Sequence, residues 1–254
     1  MIGTKEFTNL NLMAGTVRSL DQSPGSSEDM AIFNRDFDML VADMKNLVDP
    51  ELAADLASQK DYYTAAFQVA KGSFGGKPFG GLKASTGQFG MRLIMPQDLR
   101  IAAGTETPAF YSWLQTVTTT SAKSYKTGAI GYNSTYCYTQ NLANKNEVIA
   151  FHRLISYKPN PRVLAVELTI NGVGYMPWSV EAFSKIRKAD KLFSILPMPG
   201  KVLLHPGGFF YITLYFDMET GTTVMSGVSS LEIEIAPFGL TFAEYDFLAA
   251  GNIV

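Results

Sequence analysis

Histidine and cysteine are almost missing from this chain. Its 254 residues include two histidines, His152 and His205, and one cysteine, Cys137. A lone cysteine excludes an intrachain disulfide. Cys137 lies in Tyr136-Cys137-Tyr138 and reads as a small buried hydrophobe rather than a reactive thiol. The two histidines fall in separate stretches, and no His-x-His, His-Glu-x-x-His or Cys-x-x-Cys occurs. Zinc and iron sites need such ligands close together or converging from known motifs. No metal ligand is therefore assigned, and the metal-binding cupin class is excluded. His152, in Phe151-His152-Arg153, reads as a satisfied sheet residue; His205, ahead of Pro206-Gly207-Gly208, reads as a turn residue.

Charge is scarce as well. Asp, Glu, Lys and Arg make up 17% of the residues, against about 25% in ordinary globular chains. The formal net charge is −2. Nucleic-acid binders carry a basic stripe or tail, whereas the first six residues hold one charge of each sign, Lys5 and Glu6. No nucleic-acid partner is expected through an arm of that kind. The one cationic cluster, Lys185-Ile186-Arg187-Lys188-Ala189-Asp190-Lys191, reads as a solvated helix face or a contact with an acidic neighbour, an anionic headgroup or nucleic acid. No run of about 18 apolar residues is present, so no transmembrane segment is expected. The N-terminal residues lack the pattern of a signal peptide, so synthesis in the cytoplasm is expected. Asn133-Ser134-Thr135 is read as a turn rather than a glycosylation acceptor.

Motifs of the common enzyme classes fail too. Gly72 and Gly76-Lys77 are one residue too close for a phosphate-binding loop, and Pro78 stands where a hydroxyl residue is needed. There is no Gly-x-Ser-x-Gly elbow. Glu232 and Glu234 lie two apart on a predicted strand, with the separation a glycosidase pair could use, but read better as a solvated sheet face. Asp217 and Glu219 look like a turn, with a hard cation such as Ca²⁺ as the lesser reading. No catalytic residue and no cofactor is assigned.

What is present is apolar patterning: hydrophobic residues make up 46% of the chain. Residues 1–27 are polar and end in Ser23-Pro24-Gly25-Ser26-Ser27, which predicts an arm closed by a turn. Its Phe7, Leu10, Leu12, Met13, Val17 and Leu20 are candidates for docking on a neighbour. Met30, Phe33, Phe37, Leu40, Val41, Met44, Leu47 and Val48 recur at helical spacing and predict one amphipathic helix. Asp49-Pro50-Glu51 predicts a second, with Asp49 as N-cap and a break near 58–61. A glycine-rich stretch over 72–90, with Phe74 and Phe79, reads as a mobile or ligand-shaped loop.

Strand patterns begin after residue 90. Val166, Leu168 and Ile170 alternate with Glu167 and Thr169, and Leu231, Ile233 and Ile235 with Glu232 and Glu234. Asn171-Gly172 between apolar runs signals a two-residue hairpin. One short helix is predicted over 180–191. About ten short strands, among them 98–102, 129–138, 222–225 and 229–235, with turn signals and no regular strand–helix alternation, predict a mainly β fold. The expected architecture is a jelly-roll-type antiparallel β-sandwich over 88–254, preceded by an arm and α-helical segment over 1–87.

The strand runs Arg162–Gly172 and Gly208–Phe216, with the helices and arm before them, resemble in architecture the jelly-roll capsid proteins of tailless icosahedral viruses. That resemblance implies a virion structural protein built from many copies of itself, with other capsid proteins as further partners. The expected contact residues are Phe7, Leu10, Leu12, Phe33, Phe37, Phe74, Phe79, Lys185, Arg187 and Lys188. Two rivals stand beside it. One is a glycan- or receptor-binding sandwich using Tyr111, Trp113, Tyr175 or Trp178; the other is a hydrolase using Glu232 or Glu234.

Overall fold

The computed structural model of the chain describes residues 27–95, 114–118, 147–157, 163–180, 182, 193–208, 210–216 and 230–250. The first apolar stripe folds as helix α1 (Ser27–Leu47), with Glu28 and Asp29 in its first turn and Lys45 in its last, each on the favourable end of the helix dipole. Helix α2 (Pro50–Ser58) starts as its residues dictate. Asp49 Oδ1 accepts from the amides of Glu51, at 2.8 Å, and Leu52, at 3.1 Å, and Pro50 fills the first position, where no amide is missed. Asp49→Ala is expected to cost about 1 kcal/mol. Urea denaturation checks this, as a lower midpoint at unchanged slope. The expected break is present: α3 (Lys60–Ser73) begins two residues after α2 ends.

Eleven strands are described: β1 (Phe79–Gly81), β2 (Phe89–Leu93), β3 (Leu114–Thr118), β4 (Glu147–Ser156), β5 (Val163–Ile170), β6 (Val173–Gly174), β7 (Trp178–Ser179), β8 (Ser194–Leu196), β9 (Val202–Leu204), β10 (Phe210–Phe216) and β11 (Ser230–Glu244). Helix α4 (Tyr245–Ala250) follows β11 directly. The larger sheet runs β1-β2-β11-β4-β8, with β3 also on β11 and β9 also on β4; the smaller runs β10-β5-β6, with β7 also on β5. Only the β1–β2 pairing is parallel among the described strands. Three sets of pairings nest along the chain: β5 with β6 and β7, β4 with β8 and β9, and β2 with β11. The Asn171-Gly172 hairpin forms as expected, with φ of 50° and 84°.

The sheets share one apolar cluster. It joins Ile149, Phe151 and Leu154 of β4 to Val166, Leu168 and Ile170 of β5 and Phe210 and Ile212 of β10. A second cluster covers the other face of the larger sheet. Phe33, Phe37, Tyr63 and Phe67 of α1 and α3 pack on Phe89, Met91, Val148, Ala150, Leu240 and Phe242. The layers are thus helices, larger sheet and smaller sheet. Strand β4 is covered on both sides, which is why it reads as a nearly continuous apolar run.

This arrangement changes several expectations. Strand residues outnumber helical ones among the described residues, but the helices form a full layer on the larger sheet rather than an appendage to the sandwich. The second cluster joins residues on both sides of position 88, and β1 pairs with β2 across it. Leu47 and Val48 leave the apolar stripe at its last turn, 81% and 67% exposed. Strand β11 continues to Glu244, nine residues past its expected end at Ile235. The strands expected over 98–102, 129–138 and 222–225 lie outside the described residues, as does nearly all of the helix expected over 180–191.

The glycine-rich stretch is held in place rather than offered as a loop. Asp29 pairs with Lys71 and accepts from the Phe79 amide, and Asp36 Oδ2 accepts from the Leu82 amide at 2.9 Å. The two acids sit two turns apart on α1 and so share its inner face. Gly81 has φ +65°, and a side chain there would run into the Asp36 carboxylate.

Candidate functional site

The most elaborate polar arrangement among the described residues lies where β4 meets α2 and α3, and an irregularity in β4 builds it. Along β11, Pro237 pairs with Leu154 and Phe238 with Arg153, but Gly239 pairs with Phe151. His152 has no partner of its own in the ladder and is the extra residue of a β-bulge. Neighbouring strand residues normally point to opposite faces; a bulge re-aims them. Here both His152 and Arg153 reach one carboxylate. His152 Nε2 lies 2.8 Å from Asp55 Oδ2, and Arg153 Nη2 donates to Asp55 Oδ1 at 3.2 Å. Beyond the bulge the alternation reverses. Ile149 and Phe151 face the sandwich cluster, but so does Leu154, while Ile155 faces the helices.

The other ring nitrogen is used as well: His152 Nδ1 lies 2.6 Å from Tyr63 Oη. The proton positions follow from what each group can do. An ionised carboxylate only accepts, so Nε2 carries the hydrogen. A neutral imidazole has one N–H, so Nδ1 accepts and the Tyr63 hydroxyl donates. Three elements, α2, β4 and α3, are joined by one directional chain. Next to it, the Tyr62 hydroxyl donates to the Val202 carbonyl of β9, and Lys201 Nζ sits 5.1 Å above the Tyr62 ring.

Burial sets the electrostatics. It pushes the His152 imidazole below its ordinary value; the Asp55 bond and charge oppose this, and Arg153 and Lys201 reinforce it. Burial raises Asp55, but the hydrogen bonds and charges of His152 and Arg153 outweigh it and hold the carboxyl below its usual range. Burial drives the Tyr63 phenol well up, with Tyr62 and Asp55 adding to the rise. The ring is therefore neutral and the carboxylate ionised at neutral pH.

An acid–imidazole–hydroxyl chain is the arrangement that activates a nucleophile in hydrolases. In this chain the hydroxyl is the innermost member: Tyr63 is 0% exposed and His152 1%. A substrate has no path to an oxygen buried in this way, and the phenol holds its proton more tightly than in water. What the arrangement can do is tie helices to sheet.

The sequence-derived contact residues fall elsewhere. Phe33, Phe37, Phe74 and Phe79 are buried within the single chain, between 0% and 6% exposed, and have almost no area to offer a neighbour. Stacking of Phe67 on Phe33 at 4.9 Å and its edge contact with Phe79 at 4.8 Å show what those rings are used for. Phe7, Leu10, Leu12, Lys185, Arg187 and Lys188 lie outside the described residues, as do Cys137, Tyr111, Trp113, Asp217 and Glu219. Tyr175 and Trp178 pack half-buried against the sandwich cluster, and Trp178 Nε1 donates to the Pro197 carbonyl at 2.8 Å. Glu232 and Glu234 both lie on β11 opposite β3. His205 is exposed at a turn, as expected, with its carbonyl accepting from the Gly208 amide. Asp55 and Tyr63 were missed. The signal available was the adjacent polar pair His152-Arg153 inside an apolar run.

Among the described residues, no three His, Cys, Asp or Glu side chains converge as a metal site. No described helix is long and apolar enough to cross a membrane. No protein-family model matches the sequence, and searches of curated proteins and of solved structures find no match either.

Proposed function

We propose that this chain is a self-assembling structural subunit, specifically a viral major capsid protein whose sandwich is a jelly roll. The strand order carries the reading. In a jelly roll an antiparallel ribbon is rolled up, so that strands pair in reverse order from the centre of the chain outward. The nested pairings of β5 with β6 and β7, of β4 with β8 and β9, and of β2 with β11 follow that scheme. The remaining rung would join β3 to β10; β3 instead pairs with Ser230–Glu234 of β11, a local departure. The low charge content suits a surface largely buried against copies of itself. The packing of Tyr175 and Trp178 against the core favours this reading over a glycan-binding module, which would keep those rings free.

Leu47 and Val48, side by side at the end of α1, are the candidate place for a second copy to meet the first. Electron microscopy and light scattering of the purified full chain test the proposal. The expected result is large closed particles. Replacing Leu47 and Val48 together by Asp is expected to raise the subunit concentration needed for assembly at least about tenfold, since a buried unpaired charge costs more than the ~1.4 kcal/mol that a factor of ten represents. A monomer that stays monomeric at every concentration, with or without other virion proteins, overturns the reading.

A further inference from the structure

We propose that the Asp55–His152–Tyr63 chain is an acid-sensitive latch, which holds the helical layer on the larger sheet while the His152 ring is neutral and releases α2 and α3 when the ring takes a second proton. The latch is a property of one chain and does not depend on assembly. Its logic lies in the hydrogen positions. With Nε2–H committed to Asp55, the neutral ring has one free lone pair, on Nδ1, and the Tyr63 hydroxyl fills it. Protonation turns Nδ1 into a donor facing a donor. Tyr63 Oη must then accept, and its own hydrogen must find another acceptor although Tyr63 and His152 are both fully buried. A buried donor without a partner is costly. The cost falls on the contact between α3 and β4, because the hydroxyl and the ring belong to different elements.

The groups around the ring do not relieve it. From α2 it faces Asp55; from α3, Tyr63 with Tyr62 beside it; from β4 itself, Arg153; from the segment before β9, Lys201; and from β11, the uncharged Phe238 ring at 5.6 Å. Among the described residues around the ring Asp55 is the one anion, and it already serves Arg153. Arg153 and Lys201 both disfavour a charged ring.

The direction with pH follows. Held in the fold, the ring has a lower proton affinity than in the opened state, where it returns to about its ordinary value of 6.5. The opened state therefore binds more protons in that window. The latch is fully engaged above the ordinary value and weakens as the pH falls from there towards the lowered one. Asp55, itself lowered, adds a further loss in the same direction only at more acid pH.

Hydrogen–deuterium exchange of the full chain between pH 7.5 and pH 5, corrected for intrinsic exchange rates, tests this. Protection of residues 50–73 is expected to fall by up to about tenfold per pH unit within the window, the most one proton can supply. Protection of β4 and β11 should hold. In His152→Gln, which keeps a polar side chain that does not titrate, the pH dependence should vanish. If that variant does not fold, imidazole resonances of the unaltered chain serve, with His205→Gln providing assignment. They should report a neutral, Nε2-protonated His152 at pH 7, titrating at the pH where the helices lose protection. Flat protection across the range, simultaneous loss in β4 and β11, or a charged His152 at pH 7 overturns the proposal.

Discussion

His152→Ala is expected to destabilise the chain by about 4 kcal/mol, summing a stranded buried hydroxyl, two lost hydrogen bonds and a cavity. The side chain is almost wholly buried and both ring nitrogens are engaged, at 2.6 Å and 2.8 Å. Truncation leaves Tyr63 without its acceptor and Asp55 with Arg153 alone. Against a typical stability of about 5–15 kcal/mol, such a loss places the variant close to unfolding. Urea denaturation at pH 7.5 checks it. His205→Ala is the matched control. The second histidine is exposed at a turn, and its removal should change stability by less than about 0.5 kcal/mol. Equal midpoints for the two variants would mean that the His152 bonds contribute nothing.

Gly239→Ala is expected to cost about 3 kcal/mol or more, the upper end of what overpacking does. A Cβ on Gly239 would lie 2.5 Å from the Phe151 Cα and closer still to the Ala150 carbonyl oxygen. These are backbone atoms of the neighbouring central strand and have no rotamer to change. Gly239 pairs with Phe151 beside the bulge, and relief would require β11 and β4 to part. Gly72→Ala, in the last turn of α3 with nothing within 4 Å of the added carbon, is expected to raise stability by about 0.5–1 kcal/mol. Opposite signs in thermal melts of the two variants would separate close approach from chain entropy as the reason for each glycine.

Local features were the legible ones. The Asp49-Pro50 start of α2, the alternation of β5 and the Asn171-Gly172 hairpin are each dictated by residues within a few positions of one another, and each appears where expected. The site was not legible, because its parts are far apart in the chain. Asp55 and His152 are 97 positions apart, and neither carries a motif that names the other. The polar pair His152-Arg153 could have been read as a bulge, and so could Gly239 within an apolar strand. The predicted strand stops at Ile235 because the apolar–polar alternation stops there, although β11 runs on through Pro237 and Gly239. Apolar spacing marked Phe33 and Phe37 correctly as one helix face but could not tell whether that face met the same chain or another. The glycine-rich stretch misled for a related reason. Glycines that free a loop and glycines that admit a carboxylate look alike until Asp36 is seen beside Gly81.

The bulge also fixes how this protein can diverge. The stretch from Glu147 to Ser156 is two segments of opposite parity joined at His152. Removing one residue from the first segment would turn Val148 and Ala150 towards the smaller sheet, or Ile149 and Phe151 towards the helices. Removing His152 itself would make the alternation regular and leave Leu154 and Ile155 on the faces they have now, at the loss of the ring that Asp55 and Tyr63 hold. The apolar side chains along β4 are free to drift in identity, but its residue count can change without turning a face only at the bulge, and there only with the loss of His152. Gains and losses of length in descendants of this chain must therefore accumulate in the connections or at the bulge, and the order of inward and outward faces along β4 is the feature by which distant relatives would still align.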